Sequence, residues 1–175
     1  MKALFVIGST REGRASDNAA EYIAERLESK GHEAELFDLR QKQFPFLNDR
    51  TYADGEKAPE PAEELSEKVT ETDCLVMVTP EYNHSIPGVL KNALDHLYPE
   101  YDGKAFAYVT TSSGGFGGVR ALSHLHDITL AFNARPGPDL PVSNIGDVFG
   151  ENGRLLDDSY KDRIDSFIKD IEDFV

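Results

Sequence analysis

The stretch Asp73-Cys74-Leu75-Val76-Met77-Val78 constrains the fold more than any other part of the chain. Apolar residues follow Asp73 without a polar alternate, so a strand built from them has no face for water. Strands covered on both faces belong to the interior of parallel sheets, whose crossovers are helices. The rest of the chain repeats the same grammar. Strand-type runs at residues 2–7, 33–39, 73–79, 104–111 and 137–142 alternate with helical stripes at 16–30, 61–72, 87–98, 118–132 and 157–174. In the first stripe Ala20, Ile23, Ala24 and Leu27 recur at helical spacing, with Ser16 expected as N-cap and Gly31 as the stop. Residues 40–60, with Pro45 and Gly55, read as a long polar loop.

Five strands separated by helices predict an α/β chain, with helices on both faces of a parallel sheet. The flavodoxin-like order 2-1-3-4-5 is the expected solution, in a three-layer sandwich. That order places the first, third and fourth strands side by side, so the loops following them converge at one end of the sheet. The chain of 175 residues is long enough for one domain, 1–175, with its own core. With 39% hydrophobic and 29% charged residues and no long apolar run, it reads as globular with no membrane span. The single Cys74 excludes an internal disulfide, sits in an apolar strand as an inert thiol, and fits a cytoplasmic location. A net charge of −14 argues against nucleic acid and anionic membranes as partners. The acidity suits either a surface tuned for solubility, including in high salt, or docking on a basic redox partner.

The three converging loops carry the chemistry. Gly8-Ser9-Thr10-Arg11-Glu12-Gly13-Arg14-Ala15-Ser16-Asp17-Asn18 leads from a strand to a helix N-terminus, where unpaired N–H groups favour an anion. Ser9, Thr10 and Ser16 add hydroxyls, Asn18 an amide and Arg11 a guanidinium fork. Neither the P-loop nor the Gly-x-Gly-x-x-Gly dinucleotide pattern is present, which leaves a single terminal phosphate; the bland alternative is a capped helix with solvated arginines. Thr79-Pro80-Glu81-Tyr82-Asn83-His84-Ser85-Ile86-Pro87-Gly88 is a stiff polar-aromatic loop suited to a flat heterocycle, or else a rigid turn before a helix. Thr110-Thr111-Ser112-Ser113-Gly114-Gly115-Phe116-Gly117-Gly118 lets backbone approach a ligand closely, or else is a flexible turn. There is no metal cluster, and no Gly-x-Ser-x-Gly nucleophile elbow. His124 and His126 are two apart on a helix and do not face one another.

These motifs together resemble the NADPH-dependent FMN reductase family. The resemblance rests on Gly8-Ser9-Thr10-Arg11, Pro80-Glu81-Tyr82-Asn83, Pro87 to Asp95, and Ser113-Gly114-Gly115-Phe116-Gly117-Gly118, in order over the first two-thirds of the chain. It implies FMN as cofactor and NADPH or NADH as co-substrate. Hydride would pass in ping-pong fashion to the flavin and on to a quinone, azo compound, free flavin or similar small acceptor. It implies that Ser9, Thr10, Arg11, Ser16 and Asn18 hold the phosphate. Pro80, Glu81, Tyr82, Asn83 and Ser85 would line the ring and ribityl chain, and Ser113, Gly114 and Gly115 would meet the pyrimidine edge. No side-chain acid or base is required. The chain departs from the family pattern in the insertion Glu12-Gly13-Arg14-Ala15, which leaves the parts of Arg14 and Asn18 open. The resemblance also implies a homodimer or homotetramer, with Tyr82, Tyr98 and Tyr101 beside Leu90, Leu94 and Leu97 expected at the interface. Two other readings fit the same fold: an acidic electron carrier without nicotinamide oxidase activity, and a phosphate-binding module without redox chemistry.

Overall fold

A computed structural model describes residues 1–48 and 58–175. Five strands, β1 (Lys2–Ile7), β2 (Glu33–Asp38), β3 (Cys74–Pro80), β4 (Ala105–Thr111) and β5 (Arg135–Val142), form one sheet in the order β2-β1-β3-β4-β5. All four pairings are parallel. Helices α1 (Ser16–Glu28), α2 (Glu60–Glu71), α3 (Gly88–Asp95), α4 (Val119–Ala131), α5 (Ile145–Val148) and α6 (Ser159–Phe174) complete the chain. The flavodoxin-like order read from the sequence is the observed one.

The alternation of side chains along a strand divides the core in two. Ala3, Phe5, Ile7, Val76, Val78, Ala107 and Val109 face α1 and α6, packing on Ile23, Leu27, Ile164 and Ile168. Leu4, Val6, Leu75, Met77, Phe106 and Tyr108 face the other way, onto Leu65, Val69, Leu90, Leu94 and Leu125 of α2, α3 and α4. Each fully buried Leu, Ile or Phe contributes on the order of 1.5–3 kcal/mol. Cys74 is wholly buried, and that burial pushes its thiol up to about 12, which makes it the inert residue expected. Among the described residues no helix is long and apolar enough to cross a membrane.

Several local expectations differ from what is found. Ala15, not Ser16, is the N-cap of α1, and no side chain caps it. Tyr101 is fully buried and stacks on Phe132 with ring centroids 4.5 Å apart. With Leu90, Leu94 and Leu97 also buried, these four residues belong to the core rather than to a surface, whereas Tyr98 is exposed and Tyr82 half-buried. The strand expected from residue 137 starts at Arg135, which already pairs with Ala105, and a register shift follows opposite Phe106 to Tyr108. The loop expected over 40–60 lies partly outside the described residues.

Candidate functional site

The ends of β1, β3 and β4 are joined before any side chain contributes. Gly8 N–H donates to Val78 O at 2.8 Å and Glu81 N–H to Thr111 O at 3.0 Å. Gly8 must lack a side chain: a Cβ there would lie 2.7 Å from Leu90 Cδ2 and 3.0 Å from Thr79 Oγ1. A hydroxyl pair then ties the first loop to the second, with Ser9 Oγ 2.7 Å from Tyr82 Oη. Between the loops lies a cleft of about 200 Å³, walled by Arg11, Arg14, Ala15 and Ser16, by Pro80, Glu81 and Tyr82, by Thr111, Ser112 and Ser113, and by Ile145.

In the first loop the two arginines have opposite fates. Arg14 is nearly buried and each of its three guanidinium nitrogens is engaged. Nη1 and Nη2 reach the two oxygens of Asp38 at 2.7 and 2.6 Å, Nη1 also donates to Ser9 O at 2.5 Å, and Nε donates to Asp17 Oδ2 at 2.9 Å. Burial opposes its charge, but the bonds from Asp38 and Asp17 outweigh burial and raise its pKa. The Arg11 side chain is exposed and has no partner among the described residues. Ser16 Oγ, on the first residue of α1, is buried in the cleft wall and has no hydrogen-bond partner among the described residues. In the same turn the Asn18 N–H donates to Asp17 Oδ1 at 3.1 Å. An unsatisfied buried hydroxyl costs about 1–3 kcal/mol, so its retention at a helix N-terminus points to a group it meets on binding.

The second loop is a tight hairpin. Tyr82 N–H donates to Ser85 O at 2.9 Å and Ser85 N–H to Tyr82 O at 3.1 Å, closing a two-residue turn over Asn83 and His84. Both central residues have positive φ, 50° and 65°, as a primed turn demands. The Glu81 carboxylate turns toward α4, where Oε2 accepts the Arg120 backbone N–H at 3.1 Å. It occupies a helix N-terminus, where an anion is favoured. In the third loop the left-handed residues are Gly117 and Gly118. Ser143 Oγ donates to Gly115 O at 2.9 Å and Asn144 N–H to Gly114 O at 3.0 Å, fixing the loop from the β5 side.

Of the residues singled out from the sequence, Arg11, Ser16, Pro80, Glu81, Tyr82 and Ser113 line the cleft. Ser9 lies just beneath it, wholly buried against Tyr82. Thr10, Asn83, Gly114 and Gly115 are exposed on the same loops, and Asn18 is half-buried a turn into α1. Ser85 points elsewhere: its Oγ meets His124 Nδ1 at 2.8 Å, beside a second groove between α3 and α4. Ala15, Thr111 and Ser112 belong to the loops singled out but were given no role of their own, and they line the cleft together with Ile145. Ile145 carries no sequence signal and arrives because its N–H donates to Ser112 O at 3.0 Å. His126 packs on the Tyr108 ring at 4.7 Å while His124 faces Ser85, so the two histidines do diverge. Among the described residues no three His, Cys, Asp or Glu side chains gather to hold a metal.

The sheet order, with three polar loops meeting over the ends of β1, β3 and β4, defines a protein of the flavodoxin-like class. The NADPH-dependent FMN reductase family matches residues 1–145, and the chain belongs to it. It is 36% identical over 170 residues to an NAD(P)H-dependent FMN reductase of Pseudomonas aeruginosa, covering 94% of this chain and 89% of that one. It is 31% identical over 179 residues to an FMN-dependent NADPH-azoreductase of Staphylococcus aureus, covering 100% and 95%. Among solved structures it superposes on FerB, a flavoenzyme NAD(P)H:(acceptor) oxidoreductase from Paracoccus denitrificans. The TM-score is 0.79 at 26% identity, over 99% of this chain and 98% of that one.

Proposed function

We propose that residues 1–175 act as a single FMN-binding domain that oxidises NAD(P)H and reduces a small acceptor such as a quinone, an azo compound or free flavin. The observation that carries this reading is the orphaned hydroxyl of Ser16, buried in a cleft at the N-terminus of α1 with the unpartnered Arg11 guanidinium beside it. The donor set suits a phosphate monoester: helix N–H groups, one hydroxyl and one free cation. At the other end Pro80 and Tyr82 offer a stiff apolar wall. Gly114 and Gly115 offer backbone that a ligand can reach, since a Cβ on either would meet nothing within 4 Å.

FMN held there would supply the redox chemistry that links nicotinamide oxidation to acceptor reduction in alternate half-reactions. The chain's part is to bind, orient and exclude water. Arg11, Ser16 and the α1 N–H groups fix the phosphate end, with Ser9, Thr10 and Asn18 supporting that loop. Pro80, Tyr82 and Asn83 hold the ring from one side and Ser113 to Gly115 from the other. Glu81 acts indirectly, by holding the start of α4. A cytoplasmic location and a homodimer or homotetramer, whose partner helps wall the cleft, complete the proposal.

The test is titration of the apo-protein with FMN, riboflavin and FAD, followed by flavin fluorescence. FMN should bind far more tightly than riboflavin, and Arg11→Ala should erase about 1.5–3 kcal/mol of that advantage. Because the phosphate lies remote from the reacting ring, Arg11→Ala should recover near wild-type turnover in excess FMN. Tight FAD binding with negligible FMN affinity overturns the reading.

A further inference from the structure

The engagement of Arg14 assigns it a part that neither its sequence position nor its cleft-facing location suggests. Four bonds spend its guanidinium on Asp38, Asp17 and the Ser9 carbonyl. Asp38 ends β2, Ser9 begins the first loop, and Ser9 Oγ contacts Tyr82 of the second loop. Arg14 therefore joins the edge strand to two of the three loops of the cleft. Asp38 is held in turn from its own side, by Arg40 N–H at 2.9 Å and Gln41 Nε2 at 3.3 Å.

The charge count beside the cleft leads to the same place. Asp17 in the first turn of α1 and Asp38 at the end of β2 would both repel an anion bound at that helix terminus. Arg14 is paired with both. A guanidinium that is only 7% exposed and already bidentate to a carboxylate gains little by turning to a phosphate, since it would abandon a desolvated partner. Arg11, exposed and without a partner among the described residues, is the cation left for that role.

We infer that Arg14 is a positioning residue: it braces Ser9 and neutralises Asp17 and Asp38, and thereby shapes a phosphate site that it does not itself contact. The inference rests on the FMN reading above. A planar fork with fixed donors is needed to serve Asp38, Asp17 and Ser9 O together, which a lysine ammonium cannot do.

The experiment compares FMN with riboflavin, because only FMN carries the phosphate. Affinities of wild type, Arg14→Gln, Arg14→Lys, Asp38→Glu and Arg11→Ala are measured by fluorescence titration, with a thermal melt of each apo-protein. In Arg14→Gln the FMN affinity should fall about tenfold or more while riboflavin affinity changes less than about threefold. Arg14→Lys should fall nearly as far, since charge alone does not restore the fork. Asp38→Glu keeps the carboxylate charge and shifts the anchor by one methylene, so the FMN-to-riboflavin ratio should fall with it. An unchanged FMN-to-riboflavin ratio in Asp38→Glu, or in both Arg14 variants, overturns the inference; so does Arg11→Ala that keeps the full preference for FMN, since Arg14 would then be the cation on the phosphate. A parallel loss for both flavins overturns it as well, since it marks a merely structural residue. If Arg14→Gln does not fold, Arg14→Lys alone decides by the same ratio. Wild type that binds neither flavin overturns the reading of the site, and the inference falls with it. Wild type that prefers FMN, with variants that keep the preference, overturns the inference only.

Discussion

The loop after β4 contains two pairs of glycines, and the fold requires only one of them. Gly117 and Gly118 have left-handed φ of 63° and 77°. A Cβ on Gly117 would lie 2.8 Å from Pro141 Cβ, and one on Gly118 would lie 3.1 Å from Thr111 O. Gly114 and Gly115 have no left-handed φ, and a Cβ on either would meet nothing within 4 Å. Packing explains the second pair and leaves the first unexplained. The same division separates the polar residues of the first loop. Arg14 is accounted for by its four bonds, whereas the buried Ser16 hydroxyl is accounted for by nothing inside the protein. Ser16 lines the cleft and Gly114 and Gly115 follow Ser113 on its rim, so residues whose identity the fold does not need mark where a ligand supplies the need.

That division can be broken by substitution. Gly117→Ala should have the largest effect, destabilising the protein by about 2–4 kcal/mol through left-handed strain and overpacking. Its apo melting temperature should fall by roughly 5–15 °C. Ser16→Ala should leave apo stability unchanged or slightly improved, because it removes an unsatisfied polar group. It should nevertheless weaken FMN binding by about 1.5–3 kcal/mol, read by titration. Gly114→Ala should also spare the apo melt, within about 0.5 kcal/mol, while costing about 1–3 kcal/mol of FMN affinity through crowding at the ligand. Gly114→Ala that melts as low as Gly117→Ala would erase the distinction between the pairs.

The smallest effect lies away from the cleft. The hydrogen bond from Arg26 holds the Asp165 carboxyl below its usual range. A lowered folded pKa adds stability that is complete above the ordinary carboxylate value and is lost as pH falls through the folded one. For this partly exposed pair the gain is at most about 1 kcal/mol. Asp165→Asn should flatten the acid limb of a stability–pH curve by no more than that, and should leave flavin affinity unaltered.

The fold was legible because its signals are periodic. An unbroken apolar run such as Cys74–Val78 fits only an interior strand, and strand count with helical crossovers leaves few sheet orders. The convergence of three loops followed from that order, and the Ser9–Tyr82 contact realises it. What stayed hidden depends on geometry that spacing does not encode. The four-residue α5 is too short to show a helical period, and Ile145 reaches the cleft only through a backbone bond to Ser112. Glu81 lines the cleft with the rest of its loop, but that its carboxylate accepts a backbone N–H at the start of α4 is a long-range contact no spacing encodes. Ser16 has the residue type of an N-cap yet sits one position inside the helix, which is why its hydroxyl is left over. Sequence likewise cannot tell which of two nearby arginines is buried against a carboxylate and which is free.

Flavin-dependent oxidation of a nicotinamide is tested most directly by mixing FMN-loaded protein with NADPH, and separately with NADH, in the absence of oxygen and of any acceptor. The visible flavin absorbance should bleach with at least one of the two and return when a quinone or azo compound is added. Protein that binds FMN tightly but keeps its full absorbance with both nicotinamides would contradict the reductase and leave an electron carrier in its place.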